Sequence, residues 1–364
     1  MIKFQAYIKK LTKHVGLPTL IIGGAWFLIM GVGIANKLSL FDVVNEQGAF
    51  SAGMLSDGLK RFGRWGILTL AMVPAIQSGV GPNFALPLGI VCGLFGQVCA
   101  FAMGFTGASW VLVSAVIAIV LALFMGYGYG RLMNAVKGSE MTIATYTGFS
   151  MTMLFCLLWL VLPIRDHRIT WPLKGTGLRQ TIQLDQIGGA HILDNFLSFR
   201  FLGVSFPTGT LLIFFAACFF MWLFMRSKSG IAISAGGSNP MFASAAGLNV
   251  DRGRILANMV STVLGAIGII IYDQSFGYTQ LYQNPLMMAF PAVAGILIGG
   301  ASVRRARITH VLVGAFIFQG LMATSLPVAN ELFAGTDLSE TLRMIIQNGI
   351  ILYALTQAGG GKSK

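Results

Sequence analysis

Long apolar segments limit what this chain can fold into more than any other feature. They occupy residues 17–35, 65–80, 84–103, 108–129, 141–162 and 206–224, and further segments follow residue 255. Several reach the roughly 20 residues with which a helix crosses about 30 Å of hydrocarbon. Only 10% of the 364 residues are charged, and the segments are apolar on all sides, whereas a large soluble protein needs helices with polar faces. The sequence therefore predicts an integral membrane protein.

Two of the membrane-entering segments are interrupted by Gly, Pro or polar residues. They begin at Asn83 and near Tyr282. Broken segments occur at membrane depth only where protein buries them or where they line a cavity, so both are candidates for lining a pathway. With the uninterrupted segments they predict an all-α protein of about ten membrane-entering helices, which form one transmembrane domain over residues 1–364.

The basic residues indicate an orientation. The net charge is +13, but no basic stretch carries interleaved aromatic residues, so a nucleic-acid partner is not expected. Basic side chains gather instead in short connections, as they do in cytoplasmic loops. This group contains Lys3, Lys9, Lys10, Lys13, Arg131, Lys137, Arg226, Lys228, Arg252, Arg254, Arg304, Arg305, Arg307, Lys362 and Lys364. Both termini are then cytoplasmic. The residues that do not fit are Lys60, Arg61, Arg64 and the basic residues of the 165–205 loop, and long loops weigh little in this rule.

Residues 165–205 are the longest external connection in this orientation. They mix charged residues, Gly and Pro with apolar Ile187, Ile192 and Phe196, a pattern typical of a short interfacial helix. Two interpretations stay open for this loop. It is either a docking surface for an external partner or a solvated linker that lies along the membrane.

Residues 226–254 form a cytoplasmic loop whose sequence predicts a short helix. A Gly-Gly pair leads into Asn239 and Pro240. Asn caps helices, and Pro suits their first position. Gly247 is suited to end the helix in a left-handed conformation. The loop is therefore expected to hold a helix that lies across the cytoplasmic face.

The predicted helix exposes Met241 and Phe242 among alanines. Such an apolar face is too small for a core and is typical of a helix that binds a groove on another protein. The candidate contacts with that protein are Gly237, Asn239, Pro240, Met241, Phe242, Ala243, Ala246 and Gly247.

The same loop resembles the cytoplasmic coupling loop of sugar ABC permeases of the ribose and galactose type. With Ser238 as one extra residue, the family pattern is met by Gly230, Ile233, Ala235, Gly236, Gly237, Asn239, Pro240, Ala243, Ala245, Gly247, Leu248, Val250 and Arg252. The likeness continues through residues 55–89, 142–145, 201–230, 288–300 and 307–320.

Two departures from the family pattern affect the expected substrate. The sequence SGVGPNFALPLG replaces the family's GG-x-D-LSVG, with Asn83 near the acidic position, and residues 304–307 replace a GGRG segment. Related nucleoside permeases carry Gly-x-Asn-x-Gly in the first region, which residues 81–85 partly resemble. A simple sugar is the first expectation, and a nucleoside is the alternative.

The resemblance implies a permease fold like that of type II ABC importers, in the bacterial cytoplasmic membrane. It also implies a second permease copy, separate ATPase subunits and an external solute-binding protein. The chain itself has no GxxxxGK[ST] sequence, so ATP and Mg²⁺ are expected on the ATPase, with no cofactor or metal on this chain.

Polar residues inside apolar segments are costly and are therefore candidates for solute contacts. Amides and tyrosines provide hydrogen bonds to a hydroxyl-rich solute without a fixed charge. The pathway candidates are Gln77, Asn83, Tyr278, Gln280 and Asn284, with Gln97, Asn258, Tyr282, Gln283, Gln319 and Gln347 behind them. Hydrogen bonding between helices is the competing interpretation of each. Asp273 is expected at the external end of a span, where water solvates it.

Two other classes of protein fit the sequence less well. A membrane enzyme needs converging catalytic groups, and His14, His167, His191 and His310 have no suitable partner by spacing. A carrier driven by an ion gradient needs buried ionisable residues, and only the pair formed by residues 340 and 343 is expected near membrane depth.

Overall fold

The computed structural model describes residues 16–36, 38–44, 50–51, 53–164, 166, 168–170, 177–332 and 338–359. These residues are mostly helical, as the sequence predicts. Some predicted features lie outside the described residues, namely Lys3, Lys9, Lys10, Lys13, His14, Arg165, His167, Lys362 and Lys364.

The helices are α1 Leu17–Ala35, α2 Met54–Leu70, α3 Met72–Gln77, α4 Leu86–Ala102, α5 Gly107–Ala135, α6 Glu140–Val161, α7 Ile192–Asn195, α8 Thr208–Arg226, α9 Lys228–Ser238, α10 Pro240–Ala245, α11 Val250–Phe276, α12 Asn284–Met287, α13 Ala289–Ile298, α14 Ile308–Leu332 and α15 Leu338–Gly359. The strands are β1 Val43–Val44, β2 Phe50–Ser51, β3 Thr181–Gln183, β4 Phe199–Phe201, β5 Val204–Phe206 and β6 Tyr278–Gln280. They form three antiparallel pairs, β1 with β2, β3 with β6, and β4 with β5.

Among the described residues, six helices are long and apolar enough to cross a membrane, namely α1, α5, α6, α8, α11 and α14. Two further apolar segments, α4 and residues 284–298, are shorter. The chain is thus a multi-pass helical membrane protein. The number of about ten membrane-entering helices stays a prediction, because the remaining segments are short, broken or charged.

The spanning helices divide into an inner and an outer group. In α11 and α14 the most apolar stretch is 61% and 67% buried, whereas in α1 and α5 it is 22% buried. A helix that is apolar on all sides and mostly exposed within the chain is suited to face lipid. The helices α11 and α14 therefore form the centre of the molecule.

Close helix packing at the centre depends on glycine. A Cβ atom at Gly299 would lie 1.8 Å from the His310 carbonyl oxygen, and one at Gly314 would lie 1.8 Å from the Gly295 carbonyl oxygen. No side chain fits at such distances. Glycine at these positions therefore allows the close approach of the helices.

The loops with predicted cytoplasmic basic residues lie together on one face. Lys137 Nζ lies 2.6 Å from Asp251 Oδ1, and Arg254 Nη2 lies 2.6 Å from Glu140 Oε1. The Ala306 carbonyl joins the same region through a hydrogen bond from Gln77. We call residues 131–140, 226–254 and 302–307 the coupling face. We call residues 177–206 and 277–283, at the opposite ends of the helices, the external face, after the orientation that the basic residues predict.

Candidate functional site

The predicted helix on the coupling face is present as α10. The Asn239 side-chain oxygen accepts a hydrogen bond of 3.0 Å from the Phe242 N–H, and Pro240 is the first helical residue. Gly247 follows with a φ of 81°. Its absent side chain would meet nothing within 4 Å, so a left-handed backbone, and not crowding, requires glycine there. The cap and the stop are both confirmed.

The helix α10 presents two large apolar side chains to the surroundings. Met241 is 85% exposed and Phe242 is 71% exposed. Pro240 and Ala246 are also exposed, whereas Ala243 is buried. Ala243 therefore packs α10 against the rest of the chain and does not belong to the presented surface. The sequence had placed it among the contacts with the partner protein.

Gly237, in α9, packs against the turn that follows α3. A Cβ atom on Gly237 would lie 2.1 Å from the Gln77 carbonyl oxygen and 2.7 Å from the nitrogen of Gly79, whose φ is 80°. Only two glycines allow the backbones to meet so closely. Gly237 is thus a contact within the chain.

Gln77 takes part in the same junction. Its Oε1 accepts a hydrogen bond of 2.7 Å from Ser234 Oγ, and its Nε2 donates one of 2.7 Å to the Ala306 carbonyl. The side chain therefore ties α3 to α9 and to residues 302–307. Both ends of the amide are used within the protein, and a role of Gln77 in the pathway stays a prediction.

Asn83 is also used within the protein. Its Nδ2 donates a hydrogen bond of 2.8 Å to Ser261 Oγ, and its Oδ1 accepts one of 3.2 Å from the Tyr129 hydroxyl. The residue is 1% exposed. These contacts are hydrogen bonds between helices, and a role of Asn83 in lining the pathway stays a prediction.

The other three pathway candidates meet at a cavity near the external face. Tyr278, Gln280 and Asn284 line this cavity, which has a volume of about 340 Å³. Small-molecule sites typically measure about 300 to 1,000 Å³. The strand β6 carries Tyr278 and Gln280 and pairs with β3 of the external loop. The external loop therefore helps to form the cavity wall.

Aromatic, amide and charged side chains line the rest of the cavity. They include Trp65, Tyr272, Phe276, Gln319, Gln347, Arg61, Glu340 and Arg343. The charges lie in pairs: Arg61 Nε is 2.7 Å from Asp57 Oδ2, and Arg343 binds Glu340. The cavity thus offers flat apolar surfaces and neutral hydrogen-bonding groups, the combination that suits an uncharged polar solute.

Residues 54–355, more than four fifths of the chain, match the family described as "Branched-chain amino acid transport system / permease component". The chain belongs to this family. It is therefore a membrane permease of the ABC transporters that carry branched-chain amino acids or sugars, and the permease resemblance seen in the sequence is confirmed. Comparison with curated proteins and with solved structures finds no match.

The sequence suggested that Asp273 of the permease lies in water, and the structure shows that it does not. It is fully buried, and its carboxylate accepts hydrogen bonds of 2.9 Å from both Gln97 Nε2 and Asn284 Nδ2. Thr279 Oγ1 donates to Gln97 Oε1 at 2.8 Å, which fixes the orientation of that amide. Asp273 therefore supports the cavity wall from behind through Asn284.

Sequence reasoning also missed two arginines. Arg64 is 6% exposed, and its guanidinium lies 5.4 Å from the Tyr272 ring centroid and 5.1 Å from that of Phe276. Arg254 is 8% exposed and pairs with Glu140. The expectation of few buried ionisable groups is thus corrected. An arginine inside a mostly apolar helix was the available signal for Arg64.

Of the histidines considered for chemistry, His191 lies beside Asp194, with 3.6 Å between Nδ1 and Oδ2. Cys92 and Cys218 are buried, and all four cysteines are free. Among the described residues, no three His, Cys, Asp or Glu side chains are grouped so that they could hold a metal ion.

Proposed function

We propose that this permease imports a small polar solute, most simply a sugar, across the bacterial cytoplasmic membrane, powered by ATPase subunits. The observation that carries the proposal is the exposed pair Met241 and Phe242 on the capped helix α10. An exposed apolar pair on a short rigid helix is suited to fill a groove on a partner. The partner proposed here is the ATPase, which holds ATP and Mg²⁺, and this chain needs no cofactor of its own.

The contacts of α10 offer a route for movement into the membrane. The helix α9 directly precedes α10 and meets α3 at Gly237 and Gln77. Gln77 in turn holds the Ala306 carbonyl. A displacement of α10 by the ATPase would thus reach α3 and residues 302–307 through atoms already in contact.

Solute recognition is assigned to the cavity near the external face. Gln280 and Asn284 supply amide groups, and Tyr278 supplies a hydroxyl, for the hydroxyl groups of a sugar. The neutral lining favours a solute without net charge, because the charged side chains there already have partners. A solute-binding protein would deliver the solute at the external face, and a second permease copy would complete the pathway.

A nucleoside is the second candidate solute, and the aromatic side of the cavity favours it. Trp65 and Tyr272 lie edge to face at 5.3 Å, and Phe276 and Tyr278 lie 4.4 Å apart. A base stacking on such rings contributes about 1 to 3 kcal/mol. Competition of unlabelled ribose, galactose, adenosine and uridine for uptake separates the two solute classes.

The coupling assignment is tested with Phe242→Asp in the permease expressed with the ATPase encoded beside it. A charge on the presented face should weaken copurification of the ATPase about tenfold or more, since a buried unpaired charge is costly. Ser244→Asp is the matched control, because it places the same charge on an exposed neighbouring position of α10. Equal loss with both variants, or no loss with Phe242→Asp, would remove the assignment.

Two of the positions predicted to line the pathway, Gln280 and Gln77, provide a further test. Gln280→Ala should raise the KM for solute uptake, because it removes a cavity amide. Gln77→Ala should lower the maximal rate of uptake and leave KM unchanged, because it cuts the junction with α9. The same KM change in both variants would contradict the separate roles. Survival of uptake without any ATPase would instead support an ion-driven carrier.

A further inference from the structure

We propose that the external half of the permease binds one anionic phospholipid, with its phosphate in a cationic cavity and one acyl chain in an adjoining apolar groove. The two spaces lie next to each other beneath the hairpin formed by β4 and β5. This site is separate from the solute cavity and from the coupling helix. The proposal therefore holds or fails independently of the transported solute.

The cationic cavity has a volume of about 570 Å³ and opens at the external face. Lys60 and Arg200 bring two positive charges to its wall, and His191, Ser198 and Ser205 add polar groups. Lysine and arginine near a membrane surface attract anionic lipid headgroups. These basic groups also explain why Lys60 departs from the charge pattern of the loops, since a lipid phosphate gives it a function outside the cell interior.

Asp194 is the acidic residue in the cavity wall, and its carboxylate is already engaged. Thr210 donates a hydrogen bond to Oδ1, and Ser275 Oγ donates one of 2.6 Å to Oδ2. His191 Nδ1 lies 3.6 Å from Oδ2. The carboxylate therefore faces groups within the protein. Arg200 also acts on Asp42, so Lys60 is the main charge that a ligand meets.

The apolar groove has a volume of about 250 Å³ and runs between α1, α2 and α14. Trp26, Leu55, Gly58, Phe316 and Gly320 form its walls, and Val204 and Phe206 of the hairpin close its external end. Its surface is almost entirely apolar, as an acyl chain requires. Thr324, its polar residue, uses its hydroxyl within α14.

The groove and the cavity share a boundary. Phe206 lines both, and on α2 the consecutive residues Leu59 and Lys60 line the groove and the cavity, respectively. A ligand that fills both must have an apolar chain joined directly to an anionic group. A phospholipid has this arrangement, whereas a soluble anion fills only the cavity.

The depth of the groove matches one leaflet of a bilayer. Trp26, at its inner end, lies nine residues before Ala35, the external end of α1. Nine residues of α-helix span about 13.5 Å, which is close to half of the roughly 30 Å hydrocarbon thickness. An acyl chain of the external leaflet therefore fits the groove along its length.

The test uses the purified permease in neutral detergent and two probes with identical chains, dioleoylphosphatidylglycerol and dioleoylphosphatidylcholine. Native mass spectrometry counts bound lipids and gives their apparent Kd. The phosphatidylglycerol should bind in one copy and more tightly than the phosphatidylcholine. Lys60→Gln should weaken its binding about fivefold, as expected for one basic residue near an anionic lipid.

A second variant tests the groove. Gly58→Leu places a side chain into the groove at a position where a Cβ atom has neighbours no closer than 3.9 Å. It should displace the lipid without unfolding the permease, which the thermal unfolding midpoint verifies. Lys228→Gln is the control for Lys60→Gln, because it removes the same charge from the exposed coupling face.

Three results would overturn the proposal. Equal binding of both lipids in wild type and Lys60→Gln would mean unselective surrounding lipid only. Competition by glycerol phosphate as strong as that of the lipid would mean that the cavity binds phosphate without a chain. Retention of phosphatidylglycerol binding in Gly58→Leu would mean that the groove takes no part.

Discussion

The helix starts of the coupling face and the β3–β6 pair of the external face are stabilised by interactions of different range. On the coupling face, Ser227, Asn239 and Asn249 each cap a helix by accepting a hydrogen bond from the N–H three residues later. On the external face, β3 pairs with β6 about a hundred residues further along the chain, and Asp194 binds Ser275. Local hydrogen bonds can be read from a sequence, and contacts between distant segments cannot.

Backbone strain separates the two faces as well. Among the described residues, His191, Leu197 and Leu202 are the non-glycine residues with positive φ, and all lie on the external face. On the coupling face such conformations fall on glycines, for example Gly138 and Gly247. A left-handed leucine costs roughly 1 to 2 kcal/mol. The external face is thus held in shape by its tertiary contacts against local preference.

The largest expected effect in this comparison comes from Gly237→Ala on the coupling face. The added Cβ would lie 2.1 Å from the Gln77 carbonyl oxygen, so the junction with α3 must open. Overpacking of this kind costs about 1 to 3 kcal/mol or more. Thermal unfolding should shift downward, and ATP-driven uptake should fall at least tenfold.

Gly253→Ala is the matched control for that experiment. Its Cβ would meet Ile233 at an ordinary 3.6 Å, and alanine favours the helix α11. Its unfolding midpoint should stay level or rise. If Gly237→Ala behaved in the same way, the close contact between Gly237 and Gln77 would contribute neither to stability nor to uptake.

The next largest effect is expected from Asp273→Ala behind the solute cavity. The change leaves the Gln97 and Asn284 amide N–H groups without their acceptor, and each buried unpaired donor costs about 1 to 3 kcal/mol. The thermal unfolding midpoint should therefore fall, and solute uptake should weaken because Asn284 loses its orientation.

Asp251→Ala provides the comparison on the coupling face. Asp251 also pairs with a partner, Lys137, but both side chains are about half exposed. Such exposed pairs contribute about 0 to 1 kcal/mol. Equal destabilisation by the two substitutions would contradict the distinction between a buried long-range network and an exposed ion pair.

The smallest effect is a pH dependence at Asp194. Burial raises the pKa of this carboxyl, but hydrogen bonds from His191, Ser275 and Thr210 outweigh it and lower the pKa below its ordinary value. A carboxyl with a lowered pKa stabilises the folded state above its unfolded pKa of about 3.9. That stability is lost as the pH falls through the still lower folded pKa.

Unfolding midpoints of wild type and Asp194→Asn, compared from pH 7 downward, test this dependence. The difference between them should be constant near neutral pH and should shrink below about pH 4. A difference that stayed constant throughout would show that the charge of Asp194 contributes nothing to the external face.

The structure of the external loop was only partly predicted from the sequence. Its apolar residues predicted a short interfacial helix, and a single helical turn is present as α7. The same segment also holds strands β3, β4 and β5, which the sequence pattern did not indicate. Three-residue strands leave too short an alternation to detect, and the partner of β3 lies far along the chain.

The sequence by itself determined the membrane-spanning character, the capped helix α10, its stop at Gly247 and the family. Each of these depends on the composition of one segment or on hydrogen bonds within a few residues. Only the tertiary structure decided which polar side chains meet. It placed Gln77 at a junction, Asn83 between helices and Asn284 at a cavity supported by Asp273. The physical reason is that a buried amide can satisfy its hydrogen bonds with any nearby segment, and the packing of helices selects that segment.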